Sequence, residues 1–247
     1  MSCGKWTIAR RAALCSLLVA TAASMSACRT STGAQARPPS NQAPSAGTAP
    51  PAAATHYTID SQRSEVLVLV YRDGPMAHLG HNHVIAVRGL TGAVDATSDP
   101  AQSAFQMDFP VEAMSVDDAP LRAAQGADFQ STVDEAAVAG TRDHMLGTLL
   151  LNARQFAQIH LQSEQIRSAP EGLRVATRIT VRDTATTVEI PLTLQRTDSE
   201  LTASGEFDLT HAQLGLTPYS VALGALRVAQ RMHVRYQLVA RRDPPGS

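Results

Sequence analysis

Cysteine is missing from the body of this chain. Of 247 residues only Cys3, Cys15 and Cys28 are cysteines, so nothing after residue 28 can be braced by a disulfide, and a folded body must be held by its own apolar core. Length is no obstacle, since domains of about 100–200 residues commonly bury an adequate core. Strong charge is missing too: the formal net charge is −1, and with no Lys/Arg cluster a nucleic-acid partner is not expected. There is no Gly-x-Ser-x-Gly elbow, no phosphate loop and no free cysteine in the body, which removes the common signatures of catalysis; the chain is not expected to be an enzyme. The acidic pairs Asp117-Asp118 and Asp134-Glu135 are read as solvated or helix-capping carboxylates rather than a glycosidase pair. No βαβ rhythm and no internal repeat occur.

What is present begins with a leader. Lys5, Arg10 and Arg11 form a basic start. The apolar run Ala12 to Ser24 is too short to span a bilayer, which takes about 20 apolar residues. A basic start, a short apolar core and a small-residue site mark a secretory signal peptide, expected here over residues 1–27. Met25-Ser26-Ala27-Cys28 resembles the lipobox of bacterial lipoproteins, with Met25 in place of the usual leucine. The resemblance implies cleavage before Cys28, acylation of that cysteine and a lipid anchor on the periplasmic side of a bacterial membrane. Arg29 lacks the aspartate that retains many such proteins at the inner membrane, which favours the outer one. Residues 28–55 are mostly Ala, Pro, Ser, Thr, Gly and Gln without hydrophobic periodicity, as in a flexible spacer. Residues 242–247 read as a short tail.

From residue 56 to 241 the dominant period is two, the mark of strands with one buried face. Leu173, Val175, Ile179 and Val181 alternate with Arg174, Arg178 and Arg182; Val188, Ile190, Leu192 and Leu194 follow the same rule. Phe105, Met107 and Phe109 alternate with Gln106 and Asp108, Ile159 and Leu161 with Gln158 and His160, and Met232, Val234, Tyr236 and Leu238 with His233, Arg235 and Gln237. Leu201 to Leu209 is a weaker strand candidate. Turn residues such as Ser168 to Gly172 and Asp183-Thr184 separate the runs, and short connections favour antiparallel neighbours. The expectation is an all-β, antiparallel barrel with one or two short helices, placed near Pro120–Gln125 and Thr132–Ala139. Val66 to Val70 is apolar on both faces, either a central buried strand or one with one face inward and the other under a helix or loop.

The order of these runs resembles the YceI-like lipid-binding family, whose fold is a lipocalin-like barrel. The resemblance is carried by Tyr57-Thr58-Ile59-Asp60-Ser61, by Leu151-Asn152-Ala153 through Leu161, by Ile179-Thr180-Val181 with Val188-Glu189-Ile190-Pro191, and by Phe207-Asp208-Leu209 through Leu214-Gly215-Leu216. It implies a barrel over nearly the whole body and non-covalent binding of an isoprenoid or other lipid chain. The expected ligand-facing residues are Leu67, Leu69, Phe105, Met107, Phe109, Ile159, His81 and His83. A small barrel either fills its interior or leaves room for one ligand, and a filled one would be a scaffold or interaction module.

His78-Leu79-Gly80-His81-Asn82-His83 is the densest chemical feature, and some members of that family carry a similar Gly-His-x-His run. If Val84 to Gly89 is a strand with Ile85 and Val87 inward, His81 and His83 share the inward face. Clustered neutral imidazoles suit Zn, Cu or Ni, so a second reading is a metal site of His78, His81 and His83 with His144 or Asp143. The bland alternative is that these rings bond loop backbone or a polar ligand head. His56, His160, His211 and His233 are expected to be structural or at the surface.

Overall fold

The computed structural model describes residues 54–244. The leader, Cys28, most of the spacer and the last three residues lie outside the described residues, and with them the expected cleavage, acylation and tether. Among the described residues no helix is long and apolar enough to cross a membrane.

In chain order the elements are β1 (Thr55–Ile59), β2 (Glu65–Asp73), β3 (His83–Ala86), β4 (Thr91–Ala96), β5 (Ala104–Pro110), β6 (Ser115–Val116), α1 (Ala119–Ala123), α2 (Glu135–Leu146), β7 (Gln158–Ala169), β8 (Gly172–Val181), β9 (Thr184–Arg196), β10 (Glu200–Thr210), β11 (Ser220–Val221) and β12 (Leu226–Arg242). Strands β1, β4, β5, β7, β8, β9, β10 and β12 follow one another around a closed antiparallel barrel, sealed where β12 pairs back onto β1. Closure leaves these strands no open edge. Strand β12 is long enough to serve two neighbours on one side: Gln237 to Arg227 pair with β2, and Ala240 to Arg242 with β1. Beyond β2 the sheet continues to β3 and then β6.

The alternation in the sequence is the alternation of the wall. In β8, Val175, Thr177, Ile179 and Val181 are buried, while Arg178 faces solvent and pairs with Glu164. Val181 lies opposite Thr184, so the β8–β9 turn is only Arg182-Asp183, with Arg182 at φ 57°. A positive φ in a two-residue turn matches the twist of the flanking strands. Gly92 meets a stricter demand. Its φ is +145°, and a Cβ there would sit 2.2 Å from the Gln106 carbonyl oxygen on β5. Gly92→Ala is therefore expected to cost about 1–3 kcal/mol, read as a lower denaturation midpoint; an unchanged midpoint would contradict the close approach.

Both helices sit where sequence placed helical segments, but α2 extends to Leu146 rather than stopping at Ala139. Asp134 caps it by accepting the Ala137 N–H at 2.8 Å. Its later turns are held by tertiary contact, with Val138, Met145 and Leu146 packed on the barrel core; docking of this kind stabilises helices that weak local propensity would not. A separate cluster explains why β2 is apolar on both faces. Leu67, Leu69, Val84, Ala86 and Phe129 pack together with Tyr71 and Leu121, so α1 and the turn at Ala127–Phe129 cover the outer face of β2 and β3.

Candidate ligand-binding site

The barrel is hollow. Two chambers of about 320 and 380 Å³ occupy its interior, each within the range of small-molecule sites. Val66, Phe109, Leu161, Phe207 and Val234 line both, forming a shared waist. The first chamber, towards the β4–β5 loop, is walled by Phe105, Met107, Leu201 and Leu238, among others. The second, towards α2, is walled by Val68, Val70, Ile85, Ile159, Met232 and their neighbours. Space of this kind among largely apolar walls favours an apolar guest. It also removes the reading of a solid scaffold barrel.

Of the expected ligand-facing residues, Phe105, Met107 and Phe109 line the first chamber, and Phe109, Ile159, His81 and His83 the second. Leu67 and Leu69 do not line either. They belong to the outer cluster beneath α1, while Val66, Val68 and Val70 take the inward face. Both sets are apolar, so alternation defines two faces of β2 without saying which one is inside.

The histidine-rich segment does not assemble the metal set. Among the described residues no three His, Cys, Asp or Glu side chains are grouped as donors for one ion. His78 sits exposed on a short turn at Ala77–Leu79 and lines neither chamber. His144 stacks on Tyr219, with ring centres 4.4 Å apart. The rings of His81 and His83 lie 6.4 Å apart, centre to centre. His83 is already bonded: its Nδ1–H donates to Asp117 Oδ2 at 2.7 Å, and its Nε2 lies 3.5 Å from Thr141 Oγ1.

Asp117 is the hub of this arrangement and is not the solvated carboxylate that its acidic neighbour suggested. Its side chain is 1% exposed. It accepts from the Val84 N–H at 2.9 Å and from Arg122 Nη1 at 2.8 Å. Arg122 also donates to the Asn82 carbonyl and to the Ser131 carbonyl and hydroxyl. Burial by itself raises the Asp117 pKa, but bonds from His83 and Val84 and the nearby charges of His83 and Arg122 together hold it below the usual carboxylate value. A carboxylate so placed fixes the tautomer and the orientation of the imidazole it binds. His83 thus presents Nε2 towards α2 from a rigid mount.

His211, expected to be structural or at the surface, is structural. It is buried and lines the chamber, with Nδ1 3.2 Å from the Gln230 carbonyl oxygen. Burial pushes its pKa below the ordinary 6.5. The unfolded chain then binds a proton that the folded ring refuses, so stability is lost as pH falls from about 6.5 towards the lower folded value. His211→Gln is expected to flatten that part of the stability profile relative to the parent; parallel profiles in denaturant titrations would refute the assignment. Arg72 and Thr141 also line the second chamber. Arg72 continues the inward series Val66, Val68, Val70 and was findable by parity; Thr141 and His211 come from segments whose packing no local pattern signals.

A family model for the YceI-like domain matches residues 57–240. Among solved structures, BcnA of Burkholderia cenocepacia superposes with a TM-score of 0.54 at 17% identity, over 73% of this chain and 98% of that one. A Campylobacter jejuni YceI protein gives a TM-score of 0.45 at 7% identity, over 65% of this chain and 85% of that one. A search of curated proteins found no match. The matched span, from the first strand of the barrel to the last, shows that the chain belongs to the YceI-like family.

Proposed function

We propose that this protein is a membrane-tethered periplasmic binding protein that holds an isoprenoid-like or other lipid chain inside its barrel. The observation that carries the reading is the pair of apolar chambers meeting at one waist. Burying a chain there gains about 0.8 kcal/mol per methylene, without any need for catalytic groups. Family membership supports it, since YceI-like proteins bind apolar ligands. The tether rests on Met25-Ser26-Ala27-Cys28 and the spacer after it, which would keep the barrel within reach of a bilayer where such ligands reside.

Organic extraction and mass spectrometry of the protein purified from bacterial cells tests the binding. A stoichiometric lipid is expected; a protein that carries none and takes up none from added lipid would overturn the reading. For the tether, Cys28→Ser is expected to move the protein into the soluble periplasmic fraction. Persistent membrane association of that variant would count against acylation.

A further inference from the structure

The second chamber is not uniformly apolar. Its lining includes Arg72, His81, His83, His144, His211 and Arg227, and no aspartate or glutamate. The cations differ in how they are satisfied. Arg227 is neutralised by Asp73 at 2.8 Å. Arg72 donates to the Gly80 carbonyl at 2.6 Å and, among the described residues, pairs with no carboxylate. His81, next in the chain after Gly80, has a buried Nδ1 with no hydrogen-bond partner. Asp117, behind His83, is already held by Arg122, His83 and the Val84 N–H. The Arg72 guanidinium is exposed at the chamber's rim and free to turn towards a ligand, whereas the buried His81 Nδ1 is costly to leave unmade unless a ligand completes it.

We infer that the Arg72–His81–His83 end of the second chamber is a subsite for the acidic head of a single-chain amphiphile, a carboxylate or a phosphate monoester, whose tail runs past the Phe109–Phe207 waist into the first chamber. The inference rests on the proposed binding of an apolar chain and adds its polarity and orientation. Arg72 supplies forked donors suited to a carboxylate or phosphate. His81 supplies a ring N–H, while His83, with its Nδ1–H held by Asp117, borders the subsite without donating to it. The opposite end has one cation, Arg196, whose Nη1 donates to the Thr97 carbonyl at 3.1 Å and whose guanidinium lies over the Tyr57 ring. That arginine is the competing head site.

Three probes with the same chain separate the possibilities: palmitic acid, hexadecyl phosphate and hexadecanol, each titrated into delipidated protein near neutral pH by calorimetry or by displacement of a fluorescent lipid. The acid or the phosphate is expected to bind about tenfold tighter than the alcohol or better, the factor that a charge-assisted hydrogen bond supplies; which of the two gains more distinguishes a carboxylate from a phosphate site. Arg72→Gln and His81→Gln, which leave the Asp117 network untouched, are expected to remove that preference, bringing acid and phosphate to the affinity of hexadecanol for the same variant. Arg196→Gln is expected to leave the preference intact. Equal affinity for alcohol, acid and phosphate overturns the subsite but not the apolar binding. A preference that survives Arg72→Gln with His81→Gln, or vanishes with Arg196→Gln, overturns its placement. Failure of all three probes to bind overturns the broader reading together with this one.

Discussion

Arg122→Met is expected to lower stability by about 3–5 kcal/mol, the usual cost of removing one partner from a buried ion pair. The guanidinium is the shared donor to Asp117 Oδ1, the Asn82 carbonyl at 2.6 Å and two Ser131 oxygens at 3.1 Å, and it also lies over the Phe129 ring. Methionine fills much of the same volume but donates nothing. Asp117 would then keep its charge in a site 1% exposed to solvent, with the Val84 N–H and His83 as its remaining donors. Asp117→Asn in the Arg122→Met background should cost less than the two single losses added, because the stranded charge is gone; a double-mutant cycle measures that coupling. The pH profile supplies an independent check. Asp117 is held below its unfolded value of 3.8, so its contribution is present above that pH and is lost as pH falls through the lower folded value. Without Arg122 the folded value should rise towards the unfolded one, so that acid-side loss should shrink. Additive single effects and an unchanged acid limb would mean that Arg122 stabilises by packing alone.

Ala203→Trp is expected to weaken binding of a hexadecyl-chain amphiphile by about a hundredfold and to leave an octyl-chain analogue little changed. Ala203 lines the first chamber between Leu194 and Leu238, its partners on β9 and β10's other neighbour β12. An indole there would take up much of a space of about 320 Å³. Excluding roughly four methylenes at about 0.8 kcal/mol each forfeits about 3 kcal/mol, which is about two decades in Kd. A short chain headed at Arg72 and His81 would end before the waist and miss the obstruction. Overpacking carries its own penalty of about 1–3 kcal/mol, so thermal unfolding must accompany the titrations. Undiminished hexadecyl binding by a folded variant would show that the tail does not enter the first chamber.

Some of this molecule is written locally. Period-two alternation made Phe105, Met107 and Phe109 one face of a strand, and the same three residues line the first chamber. The turn residues between runs favour antiparallel neighbours, and six of the twelve antiparallel pairings among the described residues join strands consecutive in the chain. Alternation, however, fixes parity and not direction. On β2 both parities are apolar, and only the cover laid by α1 and Phe129 over Leu67 and Leu69 turns Val66, Val68 and Val70 inward.

The polar end of the site was less legible still. His81 and His83 were conspicuous as a cluster, but a cluster in sequence states which chemistry is available, not what it touches. His83 meets Asp117 across 34 residues of chain, and Arg122 reaches back 40 residues to Asn82. Neither contact leaves a spacing signature, because each depends on β3 and β6 lying side by side and on α1 folding over them. The same chain closure excludes His78 from the chamber and brings in His211, whose expected structural or surface place resolves to a buried one.

The sequence by itself therefore determined the class of fold, because strand alternation is a local consequence of the pleat, and it determined the family, because the order of those strands is a property of the chain. Tertiary structure alone decided that the barrel is hollow, which parity of β2 faces inward, and that the histidines end one chamber instead of surrounding a metal ion. Those outcomes depend on how side chains from distant strands share one interior volume, and that volume does not exist until the barrel closes.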